Sequence, residues 1–424
     1  MTEQAQLPDD IARQIADPRS YAQWDELHRT LTTVRRDYPF ARANLPEYRP
    51  FWVASRYDDI QAVARQNEVF LSGLGGLQTN EALKFMQESG AGTQFRSVVA
   101  MNEPDHRKYR LLTQAWFQPK NLKQIEARLR KLAKHYVDKL AATGGECDFV
   151  SEIAVHYPLL VIMSILGVPD EDEAFMLRLT QEYFGSEDAE MNRAKAAMSP
   201  VEVQASISKV VADANTYFRK VSEQRRREPK DDLASVIANA EIDGAPISDL
   251  DAMGYYITVA FAGHDTTSSS LAGAIWALAE IPEQLARVQS NPSLIPRLVE
   301  ESVRWTTPIH QFVRIAAADC EVHGQTVKKG EWVVLCFPSG NRDESIFEDP
   351  FAFRVDRATN RQIGFGYGAH MCLGMHLARM EMAIFFEELL PRLKSVELAG
   401  TPRRTVTNFV GGPKSVPIRY RMSS

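Results

Sequence analysis

The chain has 424 residues, 44% of them hydrophobic and 25% charged, which is usual for a soluble globular protein and argues against disorder. Its formal net charge of −6 gives no reason to expect nucleic acid or an anionic membrane as a partner. Four cysteines are too few for a disulfide scaffold. Length alone suggests about two or three domains.

Neither a secretory signal nor a membrane span is expected. The N-terminal sequence MTEQAQLPDDIARQIADP lacks the apolar stretch of a signal peptide. The longest apolar run, Tyr255 to Gly263, leads directly into the polar HDTTSSS and is too short to cross a membrane. We therefore expect a cytoplasmic protein.

The first half of the chain predicts irregular segments followed by helices. Residues 1–50, rich in Pro, Arg and Asp, are expected to be loosely structured, and Pro50 to Ala54 predicts a short strand. Residues 67–100 are rich in Gly and Ser and predict a long loop with a short helix inside. Apolar residues then recur at helical spacing. They predict helices at about 121–140, 149–166, 171–185 and 201–227.

The second half predicts further helices interrupted by strands. Helices are expected at about 248–280, 293–305 and 372–393. Between the last two of these, the apolar period changes to two, which predicts strands within 320–335. Short strands are also expected within 396–420. The predicted fold class is mainly α with a minor β region.

The surroundings of one cysteine suit a metal ligand or a nucleophile. Cys372 lies in FGYGAHMCLG, where three glycines permit close backbone approach. Loop N–H groups and the N-terminus of the expected helix both favour thiolate over thiol. The other cysteines lack the spacing of a zinc site. A buried free cysteine is the alternative, but a lone thiolate between glycines fits a flat cofactor, as in a cysteine-ligated haem.

Two other segments stand out from the helical pattern. In AGHDTTSSS, Asp265 and Thr266 place an acid and an alcohol in the middle of the long apolar helix. Such a conflict between propensity and fold often marks function, although a bent helix with satisfied hydroxyls is the alternative. Glu301 and Arg304 share one helix face, but such pairs are also common as surface salt bridges.

Together, these segments resemble the cytochrome P-450 family of haem-thiolate monooxygenases. The family's haem-binding signature, Phe-x-x-Gly-x-(His/Arg)-x-Cys-x-Gly, is matched by Phe365, Gly368, His370, Cys372 and Gly374. The resemblance covers nearly the whole chain and implies one triangular, mainly helical haem-binding domain over 1–424. It implies haem b (iron protoporphyrin IX) as the cofactor, with the cysteine as iron ligand.

The resemblance also implies roles for other residues. The acid and alcohol would supply protons to dioxygen. Arg357 would complete a structural ion-pair motif with Glu301 and Arg304, although Ala358 follows it where the family often has an aromatic residue. The haem-propionate partners would be His106, Arg110, Arg314 and His370, each of which could also be a surface base.

Substrate contacts are implied for apolar residues that could equally belong to the core. They are Phe261, Ala262, Ile309, Phe312, Phe409 and Val410, and the 67–100 segment would be a substrate-access loop. Arg107, Lys108 and Arg379 would belong to a basic docking face for the electron donor, or simply to the solvated surface.

Several segments, such as TNFVGGPKSVPIR, are similar to the bacterial subgroup that includes the terpineol-hydroxylating enzyme. This likeness implies hydroxylation of a small neutral hydrophobic substrate: a monocyclic monoterpene such as terpineol or limonene, or an alkyl aromatic such as p-cymene. O₂ would be the oxidant, with electrons from a ferredoxin and its reductase. The alternatives are a larger substrate (a fatty acid or steroid), a haem-binding sensor that never turns over, and a peroxide-using enzyme. The acid–alcohol pair favours the O₂-dependent oxygenase.

Overall fold

The structure is a computed structural model that describes residues 4–91 and 96–423, and it is mainly helical with small sheets, as predicted. The helices are α1 (Asp9–Ala16), α2 (Trp24–Asp37), α3 (Tyr57–Arg65), α4 (Asn80–Ser89), α5 (Asp105–Gln114), α6 (Pro119–Leu122), α7 (Glu126–Ala142), α8 (Tyr157–Leu166), α9 (Glu173–Phe184), α10 (Pro200–Arg227), α11 (Leu233–Ala238), α12 (Asp249–Glu280), α13 (Pro282–Ser290), α14 (Ile295–Thr306), α15 (Phe337–Gly340) and α16 (Met375–Leu389).

The strands are short, and they form one five-stranded sheet and several smaller sheets. They are β1 (Ala41–Ala43), β2 (Phe51–Ala54), β3 (Phe70–Leu74), β4 (Glu146–Asp148), β5 (Glu241–Ile242), β6 (Ala245–Pro246), β7 (Gln311–Ala316), β8 (Cys320–Val322), β9 (Gln325–Val327), β10 (Trp332–Cys336), β11 (Leu393–Leu398), β12 (Arg403–Arg404), β13 (Pro413–Ser415) and β14 (Pro417–Met422). The largest sheet has the order β1-β2-β10-β7-β3, in which β10 runs parallel to β2 and the other pairs are antiparallel.

Helix α12 is the central element of the helical part. Its 32 residues span about 48 Å at the usual rise per residue. Ser248 caps its N-terminus by accepting a hydrogen bond from the backbone N–H of Asp251. Helices α8, α10 and α14 pack around it. A Cβ at Gly263 would lie 2.8 Å from the Ile162 side chain, so this glycine lets α8 approach closely.

The five-stranded sheet separates two apolar clusters. Along β10, Trp332 and Val334 belong to one cluster, and Val333 and Leu335 belong to the other. This alternation follows from the two-residue period of a strand. A third and larger cluster is built mainly from the helices around α12.

The expectation of loose structure over residues 1–50 is wrong. That segment contains α1, α2 and β1, and both helices contribute to the cluster that covers one face of the sheet. In α2, Leu27, Leu31 and Val34 are buried at helical spacing. The high content of charged residues belongs to the outer faces of these helices and hides this pattern.

Three other parts of the secondary structure differ from the prediction. Within the 67–100 segment, α4 is the short helix that was predicted, but β3 was not expected there; residues 92–95 are outside the described part. Strand β7 has no counterpart among the predicted strands, since buried Gln311 and Arg314 interrupt its apolar pattern. Helix α16 begins at Met375, three residues after Cys372, and ends before β11.

None of the described helices combines the length and apolar character that a bilayer crossing requires.

Candidate active site

A cavity lies between α12 and the loop that precedes α16, and the main sequence motifs meet in it. Its volume is about 210 Å³, taken as the space open to the centre of a water molecule. Thr266 lines it from α12, Cys372 lines it from the loop, and Arg314 lines it from β7. The structure therefore brings together segments that are distant in sequence, since Thr266 and Cys372 alone are 106 positions apart.

The loop that carries Cys372 is folded by backbone hydrogen bonds. The N–H of Cys372 donates to the carbonyl of Phe365 at 2.8 Å, and the N–H of Met371 donates to the carbonyl of Gly368 at 3.1 Å. Gly368 has φ +73°, and a Cβ there would lie 2.3 Å from the carbonyl oxygen of Ala64 in α3. Only glycine fits this position, so the loop is seated tightly on α3.

Two opposing effects act on the Cys372 thiol. Burial raises its pKa, whereas the N–H of Gly374 and the guanidinium groups of Arg110 and Arg379 lower it. Burial has the larger effect, so the net shift of the Cys372 pKa is upward, opposite to the shift that the sequence predicts. A coordinated metal ion would reverse this balance, because it deprotonates the thiol that binds it.

A group of four basic side chains lies at the edge of the cavity and consists of His106, Arg110, Arg314 and His370. The imidazole rings of His106 and His370 are in contact, with their centroids 4.0 Å apart and their planes tilted by 34°. Burial lowers the pKa of Arg314 to about 10. Burial, followed by repulsion from the other three groups, lowers the pKa of His370 to about 3. Without an anionic ligand between them, the positively charged forms of these four side chains repel one another.

Few acceptors satisfy this basic group. Arg110 donates to the carbonyl of Met371 at 2.7 Å, and Arg314 donates to the carbonyl of Val313 at 3.3 Å. Nε2 of His370 is 3.1 Å from the Ser72 hydroxyl. Glu103, 3.2 Å from His106, is the one carboxylate in ion-pair contact with the group among the described residues. The Arg314 guanidinium in particular is buried, and a buried cation needs an anionic partner.

The residues present fit a haem with two carboxylates. The basic group would hold the two propionates, and Cys372 would ligate the iron from the glycine loop. A Cβ added at Gly374 would meet no other atom within 4 Å, so the backbone next to the cysteine borders open space where a flat ring could lie. Phe365 also lines the cavity, and the Arg379 guanidinium lies 4.6 Å from the centroid of its ring.

The acid–alcohol pair is divided between two environments. Thr266 lines the cavity, and its hydroxyl donates to the carbonyl of Ala262 at 3.0 Å. Asp265 is not part of the cavity wall, and its side chain is 16% exposed. Burial raises the pKa of Asp265, and His264 lowers it in part. Helix α12 continues through this turn without a break.

Glu301 and Arg304 form a fully buried ion pair rather than a surface salt bridge. Two hydrogen bonds of 2.7 and 2.8 Å join them, and both side chains are 0% exposed. Arg357 donates to the same carboxylate at 3.1 Å, as the family resemblance implies. Arg304 also donates to the carbonyls of Asn341, Pro350 and Ala352. The cluster ties α14 to the segment before the cysteine loop.

The six predicted substrate contacts fall into two groups. Ala262, Ile309 and Phe312 line the cavity. The other three are not part of its wall. Phe261 makes a tilted ring contact with Tyr183 and an edge contact with Phe184. Phe409 packs against Phe312 and Gly75, and Val410 is buried beside Ile309.

Sequence reasoning missed an acid in the cavity wall. Glu381 on α16 lines the cavity, is 1% exposed, and has an Oε2 atom without a hydrogen-bond partner among the described residues. Burial raises its pKa well above the usual range, and a hydrogen bond from Thr267 lowers it only in part. The available signal was an acidic residue inside the apolar stretch MEMAIFF.

The three cations predicted for a docking face differ in whether they are paired with a carboxylate of this chain. Lys108 is paired with Asp243, and Arg379 is paired with Glu300. Arg107 is exposed. Two of the three charges are therefore largely neutralised within the protein.

Comparison with known proteins agrees with this site. The family model described as "Cytochrome P-450" matches residues 19–415, and the chain belongs to that family. It is 45% identical to cytochrome P-450-terp of a Pseudomonas species over 99% of both chains. It is 31% identical to linalool 8-monooxygenase of Pseudomonas putida, over 92% of this chain and 95% of that one. The crystal structure of CYP108D1 from Novosphingobium aromaticivorans superposes with a TM-score of 0.90 at 40% identity, covering 99% of this chain and 100% of that one.

Membership of this family defines the class of enzyme. The protein is a monooxygenase with a haem-thiolate cofactor, and it uses O₂, a redox partner and a hydrophobic substrate.

Proposed function

We propose that the protein hydroxylates a small, neutral, hydrophobic compound, namely a monocyclic monoterpene such as terpineol or limonene, or an alkyl aromatic such as p-cymene. The observation that carries the proposal is the largely apolar wall of the cavity that Thr266 lines. Its apolar side chains include Val98, Val99, Val259, Ala262, Ile309 and Phe312.

The charges in the cavity wall also favour a neutral substrate. The basic residues lie together and are accounted for by the haem propionates, and the raised pKa of Glu381 favours its uncharged form. No separate ionic partner then remains in the described wall for a charged substrate. The likeness to cytochrome P-450-terp and to linalool 8-monooxygenase supports a terpene-like substrate.

The predicted access segment contributes to this wall at its C-terminal end. Val98 and Val99 line the cavity, and the Ser97 hydroxyl is 2.9 Å from the Thr258 hydroxyl on α12. Arg96 is 3.3 Å from Asp251 near the start of the same helix. These contacts support a role for this segment in substrate entry and selection.

In the proposed reaction, the protein's residues hold the cofactor and supply protons. Cys372 would ligate the iron of haem b, and the four basic residues would neutralise its propionates. The bound cofactor supplies the activation of O₂ and the insertion of one oxygen atom into a C–H bond. Thr266 presents its hydroxyl at the cavity wall, where it can pass on a proton. Asp265, with its raised pKa, supplies that proton from the neighbouring position.

Electrons are proposed to come from a ferredoxin with its own reductase, as the family resemblance implies. Of the three cations predicted for the docking face, exposed Arg107 is the one best suited to pair with an acidic carrier. O₂ and the hydrophobic substrate would share the cavity beside Thr266.

An optical titration tests the substrate class. The purified ferric holoenzyme is titrated with limonene, α-terpineol, p-cymene, a fatty acid and a steroid. We expect the compact cyclic compounds to convert the haem from low to high spin, because a substrate that fills the cavity displaces water from the iron. A response to the fatty acid or steroid alone would contradict the proposed substrate class. No response to any compound on the panel would contradict it as well.

A further inference from the structure

A histidine buried next to the proton-supplying pair has a hydrogen-bond arrangement that suits proton transfer. His264 lies on α12, directly before Asp265, and its side chain is 0% exposed. Its Nε2 is 2.7 Å from the carbonyl oxygen of Val155, and its Nδ1 is 2.8 Å from the hydroxyl of Thr180 on α9. The same Nδ1 is 3.5 Å from Oδ1 of Asp265.

The donors and acceptors around His264 allow two protonation states. A carbonyl only accepts, so Nε2 must carry a proton that it donates to Val155. The Thr180 hydroxyl has one proton and two possible acceptors, which are Nδ1 of His264 and the carbonyl of Leu177 at 3.0 Å. If it donates to His264, the imidazole is neutral. If it donates to Leu177, Nδ1 must donate, and the imidazole is a cation.

Rotation of one hydroxyl therefore satisfies both states without movement of any heavy atom. In the cationic state, the Asp265 carboxylate is the counter-ion. In the neutral state, Asp265 can carry the proton. Both arrangements have zero net charge, so neither leaves an unpaired charge in the interior.

We propose that His264 is a positioning residue for the monooxygenase reaction. It shares one proton with Asp265 and keeps that carboxyl ready to pass a proton to Thr266. In this exchange the proton leaves Nδ1 of His264 for Oδ1 of Asp265, 3.5 Å away, and the Thr180 hydroxyl turns from the carbonyl of Leu177 to donate to the vacated Nδ1. No electrons are transferred, and both the carboxyl and the imidazole become neutral. This inference rests on the proposed roles of Asp265 and Thr266.

The environment of Asp265 supports this role. Within the described part of the chain, His264 is the one residue in ion-pair contact with Asp265, and Oδ2 of Asp265 has no hydrogen-bond partner. The carboxyl is therefore coupled to a single titratable neighbour, while its second oxygen is free to exchange a proton. Burial raises the pKa of Asp265, and attraction to the neighbouring His264 lowers it in part, so the two groups are coupled electrostatically.

A second histidine provides a matched control. His156 also joins a carboxylate and a backbone carbonyl, with Nδ1 2.6 Å from Glu173 and Nε2 3.0 Å from the carbonyl of Ser151. It is not part of the described cavity wall and is not adjacent to the acid–alcohol pair. His156→Asn thus removes the same kind of side chain without affecting the proposed proton path.

The test compares the rate of product formation by the holoenzyme with two different oxidants. His264→Asn and His264→Gln each keep one of the two hydrogen bonds, and neither side chain ionises. Product formation is measured with O₂ and redox partners, and again with hydrogen peroxide, which supplies oxygen, electrons and protons together. We expect the O₂-driven rate to fall about tenfold, less than for loss of a direct proton donor, with a larger solvent deuterium isotope effect. The peroxide-driven rate should stay within about twofold of wild type, and His156→Asn should leave both rates unchanged.

Two variants of Thr180 keep the proposal testable if changes at His264 impair folding. Thr180→Val removes the rotating hydroxyl and should lower the O₂-driven rate, and Thr180→Ser should restore it.

Equal loss of both rates in the His264 variants would indicate a structural role and overturn the inference. Unchanged O₂-driven rates at His264, with a lowered rate in Asp265→Asn, would overturn the inference alone. An unchanged rate in Asp265→Asn would overturn the proposed proton supply and, with it, this inference.

Discussion

At the residue scale, the proposed proton supply depends on the hydroxyl of Thr266. This side chain is the member of the acid–alcohol pair that reaches the cavity. Removing the hydroxyl should leave haem binding and substrate binding intact, because Thr266 is not one of the residues proposed to hold the propionates or to ligate the iron. The loss should instead be seen in how electrons are used.

We predict that Thr266→Ala will yield about tenfold less product per NAD(P)H consumed, with the difference appearing as hydrogen peroxide, because proton delivery normally contributes at least this much. Thr266→Ser keeps a hydroxyl and should stay near wild type. The measurement is the ratio of product to NAD(P)H and to peroxide. Wild-type coupling in the alanine variant would contradict the role given to Thr266.

Sequence patterns predicted the residues with short, specific motifs better than the residues defined by packing. The glycine-rich loop and the buried ion pair were both found from spacing and family resemblance. Glu381 was missed because one acid in an apolar helix gives no spacing signal. Phe261 and Phe409 were expected at the cavity wall, but aromatic packing holds them behind it. Which face an apolar residue presents depends on neighbours that are distant in the chain.

At the element scale, the cysteine loop depends on its close contact with α3. Gly368 combines φ +73° with a contact that leaves no room for a Cβ, whereas Gly324 in the β8–β9 turn has φ +70° with nothing within 4 Å. The two glycines therefore have the same backbone conformation but differ in their surroundings. Comparing alanine substitutions at the two positions separates the destabilisation caused by backbone strain from the destabilisation caused by displacing the loop.

We predict that Gly324→Ala will lower the free energy of unfolding by about 1–3 kcal/mol, as strain alone does. Gly368→Ala should cost more and should also lower the haem content, because the loop must move away from Ala64 and take Cys372 with it. Haem per protein and thermal unfolding of the two variants check this. An equal haem content in both would contradict the role assigned to the α3 contact.

The element boundaries show where sequence reasoning is weakest. The strongly periodic helices α10 and α12 were predicted within a few residues. The N-terminal helices were missed because their charged outer faces dominate the composition. Strand β7 was missed because buried Gln311 and Arg314 look like surface residues in a strand pattern, although the latter faces the cavity.

At the scale of the whole molecule, α12 connects the chemistry to the core. The same helix packs against α8 through Gly263, presents Thr266 to the cavity and buries His264 against α9. Strand β7 belongs to the sheet and carries Arg314 to the basic group. The site is thus built from both the helical and the sheet parts of the protein. That these parts form one domain over 1–424 stays a prediction.

The central claim, that this chain is a haem-thiolate monooxygenase built around Cys372, is tested most directly with labelled oxygen. The holoenzyme is supplied with redox partners and a panel compound that changes its spectrum, under ¹⁸O₂ in unlabelled water. We predict a hydroxylated product that carries one ¹⁸O atom, and neither bound haem nor labelled product beyond background in a Cys372→Ala variant. A product whose new oxygen comes from water, or a Cys372→Ala variant that still forms labelled product, would contradict the account.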